Sequence, residues 1–120
     1  GRFYEGVAAG AILLGESPRS EEFARQFDWT DAVIRLPFDA PDIGQFLATL
    51  DGEPERIERA RRANVENAAR RHDWLHRVTR VLASVGLPAT PGMRAREAAL
   101  AEIAAEAQGD ADASPSAAEA

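Results

Sequence analysis

Apolar residues in this chain come in short blocks whose spacing changes from one block to the next. Gly10 fits the left-handed cap that ends helices, and the unbroken apolar run Ala11 to Leu14 that follows it predicts a buried parallel strand covered on both faces. Ser17-Pro18 reads as a helix start, and Phe23 and Phe27 then fall on one face of a helix from 18 to about 27. Trp29-Thr-Asp31 predicts a turn, and Ala32 to Leu36 a second strand ended by Pro37. Asp39-Ala-Pro41 opens a helix in which Ile43, Phe46, Leu47 and Leu50 recur at three and four residues, until Gly52 stops it. Glu53-Pro-Glu55 opens a long arginine-rich helix with a narrow apolar stripe of Ile57, Ala60, Asn64 or Val65, and Ala68.

Positions 74, 75, 78, 81, 82 and 85 form the clearest amphipathic pattern, a packing helix from Trp74 to Val85 closed by Gly86-Leu-Pro88. Asp73 is placed to cap it. Residues 89–120 are rich in Ala, Glu, Asp, Ser and Pro: Arg94 to Ala107 has helix propensity, and disorder is expected from about residue 109. The order helix, strand, helix, strand, then helices implies parallel strands joined by right-handed crossovers. Two strands are too few for an independent parallel sheet, which needs neighbours on each side. The expected fold is therefore α/β, as the carboxyl-terminal piece of a larger protein that begins upstream of Gly1.

Composition narrows the chemistry. The 120 residues include no cysteine, which excludes disulfides, thiolate metal sites and a cysteine nucleophile and agrees with a cytoplasmic protein. No apolar run approaches the length of a membrane span, so no transmembrane segment is expected. A net charge of -6 argues against a general nucleic-acid binder, since neutralising phosphates takes clustered positive charge. All 14 basic residues are arginines, so a P-loop lysine or a Schiff base is excluded. Eight of them lie between Arg56 and Arg80, interleaved with Glu53, Glu55, Glu58 and Glu66, which reads as a solvated, salt-bridged helix face.

The segment Arg2-Phe-Tyr-Glu5-Gly-Val-Ala-Ala-Gly10-Ala-Ile-Leu-Leu14 resembles the "(F/L)-E-A-(M/L)-A-x-G-(A/V)-x-(L/V)-(L/V)" segment in the carboxyl-terminal, donor-binding domain of GT-B glycosyltransferases of the group 1 type. The Arg-Phe-Tyr-Glu lead-in makes it most similar to the CgeB-like spore-maturation branch. The similarity continues through residues 20 to 87, in Glu21-Glu-Phe23, Pro54-Glu-Arg56 and Arg71-His-Asp-Trp74. It implies a Rossmann-like half-domain over residues 1–87, with short parallel strands, flanking helices and a helical carboxyl terminus; residues 88–120 then form a tail with one helix. It also implies transfer of a sugar from a nucleotide-diphosphate donor to an acceptor hydroxyl, with no cofactor and no essential metal. An amino-terminal GT-B domain is the partner it requires.

On that resemblance Glu5 is the ribose-binding residue, its carboxylate accepting both hydroxyls; without it, Glu5 reads as an acid that complements the helix dipole. The family's second glutamate falls eight residues upstream, before Gly1. Arg2, Phe3 and Tyr4 form the lead-in where backbone N–H groups can face a diphosphate. Arg2 suits phosphate pairing or an exposed surface, Phe3 and Tyr4 suit packing more than base stacking, and Gly10 is a small residue that lets backbone and ligand approach. His72 and His76 have the spacing of a helical metal pair, yet a helix break near Asp73 takes them off a shared face. Two other readings stand beside the enzyme: a non-catalytic α/β protein-interaction module using the arginine helix and acidic tail, and a different nucleotide-binding protein of similar architecture.

Overall fold

The structure, a computed structural model, describes residues 2–112, with side chains to residue 109. The disorder expected at the end of the tail falls mostly on residues 113–120, outside the described ones. In chain order the elements are α1 (Arg2–Ala8), β1 (Leu14–Gly15), α2 (Glu21–Gln26), β2 (Ile34–Arg35), α3 (Ile43–Asp51), α4 (Pro54–Asn67), a π-helical turn (Ala68–His72), α5 (Trp74–Ser84) and α6 (Pro91–Asp112). Of the described residues 66% are helical, and the two strands among them, two residues each, make one parallel pair. The expected Rossmann-like α/β sheet with flanking helices does not form. Each helix satisfies its own backbone within four residues, whereas a parallel strand depends on neighbours at both edges, and here each strand has one.

Two compact units divide the chain between Asn64 and Val65, within α4. In the first, α1 ends in a Schellman motif: Ala11 donates to the Gly6 carbonyl, Gly10 donates to that of Val7, and Gly10 takes the left-handed φ of 70°. The chain then doubles back so closely that a methyl group at Gly6 would lie 2.6 Å from Leu13 Cδ2. Leu14 registers with Ile34 and Gly15 with Arg35, and the Ile34 amide donates to the Leu13 carbonyl at 2.8 Å. The run Ala11 to Leu14 is half-buried to exposed, because among the described residues β1 pairs only with β2.

The start of α2 is capped by Ser20, whose side chain accepts from the Phe23 amide, in place of the expected Ser17-Pro18 start. Glu21 and Glu22 then fall in the first turn, where the helix dipole favours them. Phe23 and Phe27 stack at 4.5 Å, and Phe3 and Tyr4 of α1 close on them. Asn64, fully buried, donates from Nδ2 to the Ala11 carbonyl and accepts from Trp29 Nε1, both at 2.8 Å. Of the two residues the periodicity left open for the α4 stripe, Asn64 is the buried one and Val65 is only half-buried.

In the second unit the π-turn shifts the backbone ladder by one residue: the Asp73 amide donates to Ala68, five positions back. The Ala69 carbonyl, which an α-turn would have paired with Asp73, accepts instead from His76 Nε2 at 2.8 Å. Asp73 caps α5 through the Leu75 amide and holds Arg96 of α6 by two hydrogen bonds, at 3.0 and 2.6 Å. The buried residues are small, namely Ala68, Ala69 and Ala104, together with Leu75. The expected packing helix α5 packs through part of its apolar pattern: Leu75 is buried and Leu82 half-buried, while Trp74 is 72% and Val81 63% exposed, and Val78 and Val85 are exposed as well. Helix α6 runs from Pro91 to Asp112, longer at both ends than propensity predicted.

Candidate functional site

The residues singled out by sequence share α1 and its exit. With 3.6 residues per turn, Phe3, Gly6, Val7 and Gly10 form the inward face, while Arg2, Glu5 and Ala9 form an exposed stripe. Val7 is fully buried and anchors the helix. Phe3 lies edge-on to Phe23 at 4.9 Å and Tyr4 is 5.1 Å from the ring of Phe27, so both rings are engaged with α2. Gly10 is buried at the left-handed cap, a position where a side chain would be strained.

Glu5 stands in the first turn of α1, exposed, and its side chain has no hydrogen bond or ion pair to another described residue. Glu22 of this unit is engaged with Arg25, Glu53 with Arg56, and Glu58 with Arg61 and Arg62, while Glu16 and Glu21 are as exposed and unpaired as Glu5. Both Glu5 oxygens thus remain open to a ligand. With seven residues α1 has a weak dipole, so a ligand here would be held mainly by side chains.

Asp31 is the one non-glycine residue with positive φ, 58°, among those described. Its carboxylate takes a bidentate clasp from Arg56, with Nε and Nη2 each at 2.9 Å. Those hydrogen bonds hold the Asp31 carboxyl below the usual carboxylate range and push Arg56 upward. The clasp ties a strained turn to α4 and leaves Arg56 committed to structure. Sequence reasoning missed it, because only the fold brings residues 31 and 56 together.

His72 lies in the π-turn and His76 in α5, so the two do not share a regular helix face. Among the described residues no group of three or more metal-ligating side chains is assembled. A shallow depression of about 370 Å³ opens in the second unit, lined by Ala69, Arg70, His76, Glu97, Leu100 and Ala101. Its polar groups are largely spent internally, Arg70 on Glu66 and Gln108 and His76 on the Ala69 carbonyl. No family model, curated protein or solved structure matches the chain. No helix among the described residues is long and apolar enough to cross a membrane.

Proposed function

We propose that this chain is the carboxyl-terminal donor-binding segment of a cytoplasmic glycosyltransferase that uses a nucleotide-diphosphate sugar. The observation that carries the reading is Glu5, a solvent-open carboxylate without an internal partner, set within the segment that resembles the ribose-binding motif of those enzymes. A carboxylate offers two acceptor oxygens, and adjacent ribose hydroxyls offer two donors at matching separation. In the reaction the acceptor hydroxyl oxygen bonds to the anomeric carbon, the anomeric C–O bond to the nucleoside diphosphate breaks, and the acceptor proton passes to a base outside this chain. Stabilising the departing diphosphate falls to positive side chains and backbone amides. The rest of the donor site and the acceptor site belong to the amino-terminal domain of such an enzyme.

In the full-length enzyme, Glu5→Ala raises the apparent binding constant for the donor by one to two orders of magnitude, about 1.4 to 2.8 kcal/mol. Donor kinetics that do not move remove Glu5 from the site. The 120-residue chain alone releases no nucleoside diphosphate from any common nucleotide sugar, and turnover above a Glu5→Ala control would contradict its role as one part of the enzyme. The exposed stripe of Trp74, Val78, Val81 and Val85 favours the second reading, a protein-interaction module. That reading gains if the chain binds no nucleoside diphosphate.

A further inference from the structure

Each compact unit leaves one apolar patch uncovered. Of the nine large apolar side chains left exposed among the described residues, eight fall into two groups, and Ile103 of α6 stands apart from both. The first group is Phe38, in the loop before α3, with Ile43 and Leu47 one helical turn apart on α3 itself. The second is the α5 stripe of Trp74, Val78, Val81 and Val85, continued by Leu87 just past the helix end. Spaced four, three and four residues apart, the four stripe residues stay within about 60° of arc and run about 16.5 Å along the axis. The nine residues of α3 span about 13.5 Å, a comparable length.

The charge around the two patches is opposite in sign. From Pro37 to Glu55 the chain carries five acids and no base, and Asp39, Asp42 and Asp51 beside the first patch are all exposed. From Ala68 to Arg96 it carries six arginines against the single acid Asp73, which is spent on Arg96 and on the α5 cap. Arg77 lies over the Trp74 ring at 5.1 Å, and Arg80 follows three residues on, exposed along the same flank of the stripe. Helix α4 has no such bias, since Glu58 holds both Arg61 and Arg62 and Glu55 lies against Arg59. The two places where charge of one sign accumulates are thus the two places where large apolar side chains are exposed.

We propose that the α5 stripe docks on the α3 face of a second copy of this chain. A heterologous contact of that kind sets Asp39, Asp42 and Asp51 against Arg77 and Arg80 around an apolar centre. Pairing like with like is disfavoured. Two α5 stripes packed antiparallel put the arginines of both copies on one flank, and two α3 patches set acid against acid. Burial of the apolar side chains supplies the attraction, and the charges select which face is met. The pairing is independent of any nucleotide ligand.

Sedimentation velocity of the 120-residue chain between about 5 and 500 µM tests the contact, since an interface built on two short helices dissociates in the micromolar range. The weight-average mass rises with concentration from that of one copy to two or more. Raising the salt from about 0.1 to 0.5 M weakens the association by about fivefold. Val81→Asp and Leu47→Asp each weaken it by about tenfold or more, while Ile103→Asp, equally exposed but outside both patches, moves it by less than about twofold. An equimolar mixture of Val81→Asp and Leu47→Asp forms a one-to-one complex, because one variant keeps its α3 face and the other its α5 stripe. Far-UV circular dichroism verifies that the helices persist, and Val81→Ser with Leu47→Ser repeats the series with gentler changes. A single-copy mass at every concentration, loss in the Val81 variants without loss in the Leu47 variants, or a mixture that does not associate overturns the pairing. Association that high salt leaves unmoved overturns it too, since charge is what selects α3.

Discussion

Up to Asn64, contacts that bridge 25 to 53 positions of sequence are directional and polar: Arg56 on Asp31, Trp29 on Asn64, Asn64 on the Ala11 carbonyl. From Val65 on, the core is alanine and leucine, a helix cap and an exposed ion pair fasten the elements, and the large apolar side chains of α5 stay outside. The difference teaches how a small chain with few large core residues spends them. The first unit gathers four of its aromatic rings, Phe3, Tyr4, Phe23 and Phe27, around α1 and α2, and fixes its loops with single hydrogen bonds. The second lets helices approach through small residues, and so has little apolar bulk to lose at any one site except Leu75.

The comparison can be broken most forcefully at Leu75, 7% exposed in a core otherwise made of alanine. Leu75→Ala is expected to cost about 3 kcal/mol in urea unfolding, whereas half-buried Leu82→Ala costs less and exposed Val81→Ala changes stability by under about 0.5 kcal/mol. Equal losses at Leu75 and Val81 would show that the exposed stripe is covered in solution. In the first unit, Asn64→Leu keeps the volume but strips partners from Trp29 Nε1 and the Ala11 carbonyl, for an expected loss of about 2 kcal/mol. A variant as stable as the parent would mean that packing, and not the amide, holds this unit.

A smaller effect is expected at the α1 exit. Gly10→Ala forces a Cβ into the left-handed cap at φ 70°, costing about 1 kcal/mol by thermal denaturation. Smallest is the acid limb of the stability profile. Asp31 and Asp73 are both held below their ordinary values, first by hydrogen bonds from Arg56 and Arg96 respectively. The unfolded chain therefore binds protons more readily: this stabilisation is fully present above about pH 4 and is lost as pH falls through the depressed folded values. Unfolding midpoints between about pH 2 and 5 should fall less steeply in Asp31→Asn and Asp73→Asn, and unchanged slopes would mean that neither pair matters in water.

Much of the local structure was legible. Gly10, Gly52 and Gly86 end helices, Asp73 caps α5, and the strand candidates around residues 14 and 34 pair in parallel. Ser20 was missed as a cap because Ser17-Pro18 carries an equally good local signal, and the two choices differ in what the following phenylalanines can reach. Glu5 was legible as a candidate through the residues around it.

By itself, then, the sequence determined that helices stop at Gly10, Gly52 and Gly86 and that α5 starts at Asp73, because such caps act over four or five residues and are complete within them. Only the tertiary structure decided which side of each helix is covered. Positions 74, 75, 78, 81, 82 and 85 span two adjoining faces of α5, and nothing within the helix chooses between them; the neighbours of Leu75 do. The same holds for Asn64, whose burial is tolerable only because Ala11 and Trp29 arrive to satisfy both ends of its amide. It holds too for Arg35, which gains a place beside Gly15 only through a register set between strands twenty residues apart. Contacts across such separations depend on the whole chain closing around them, and no local pattern encodes that.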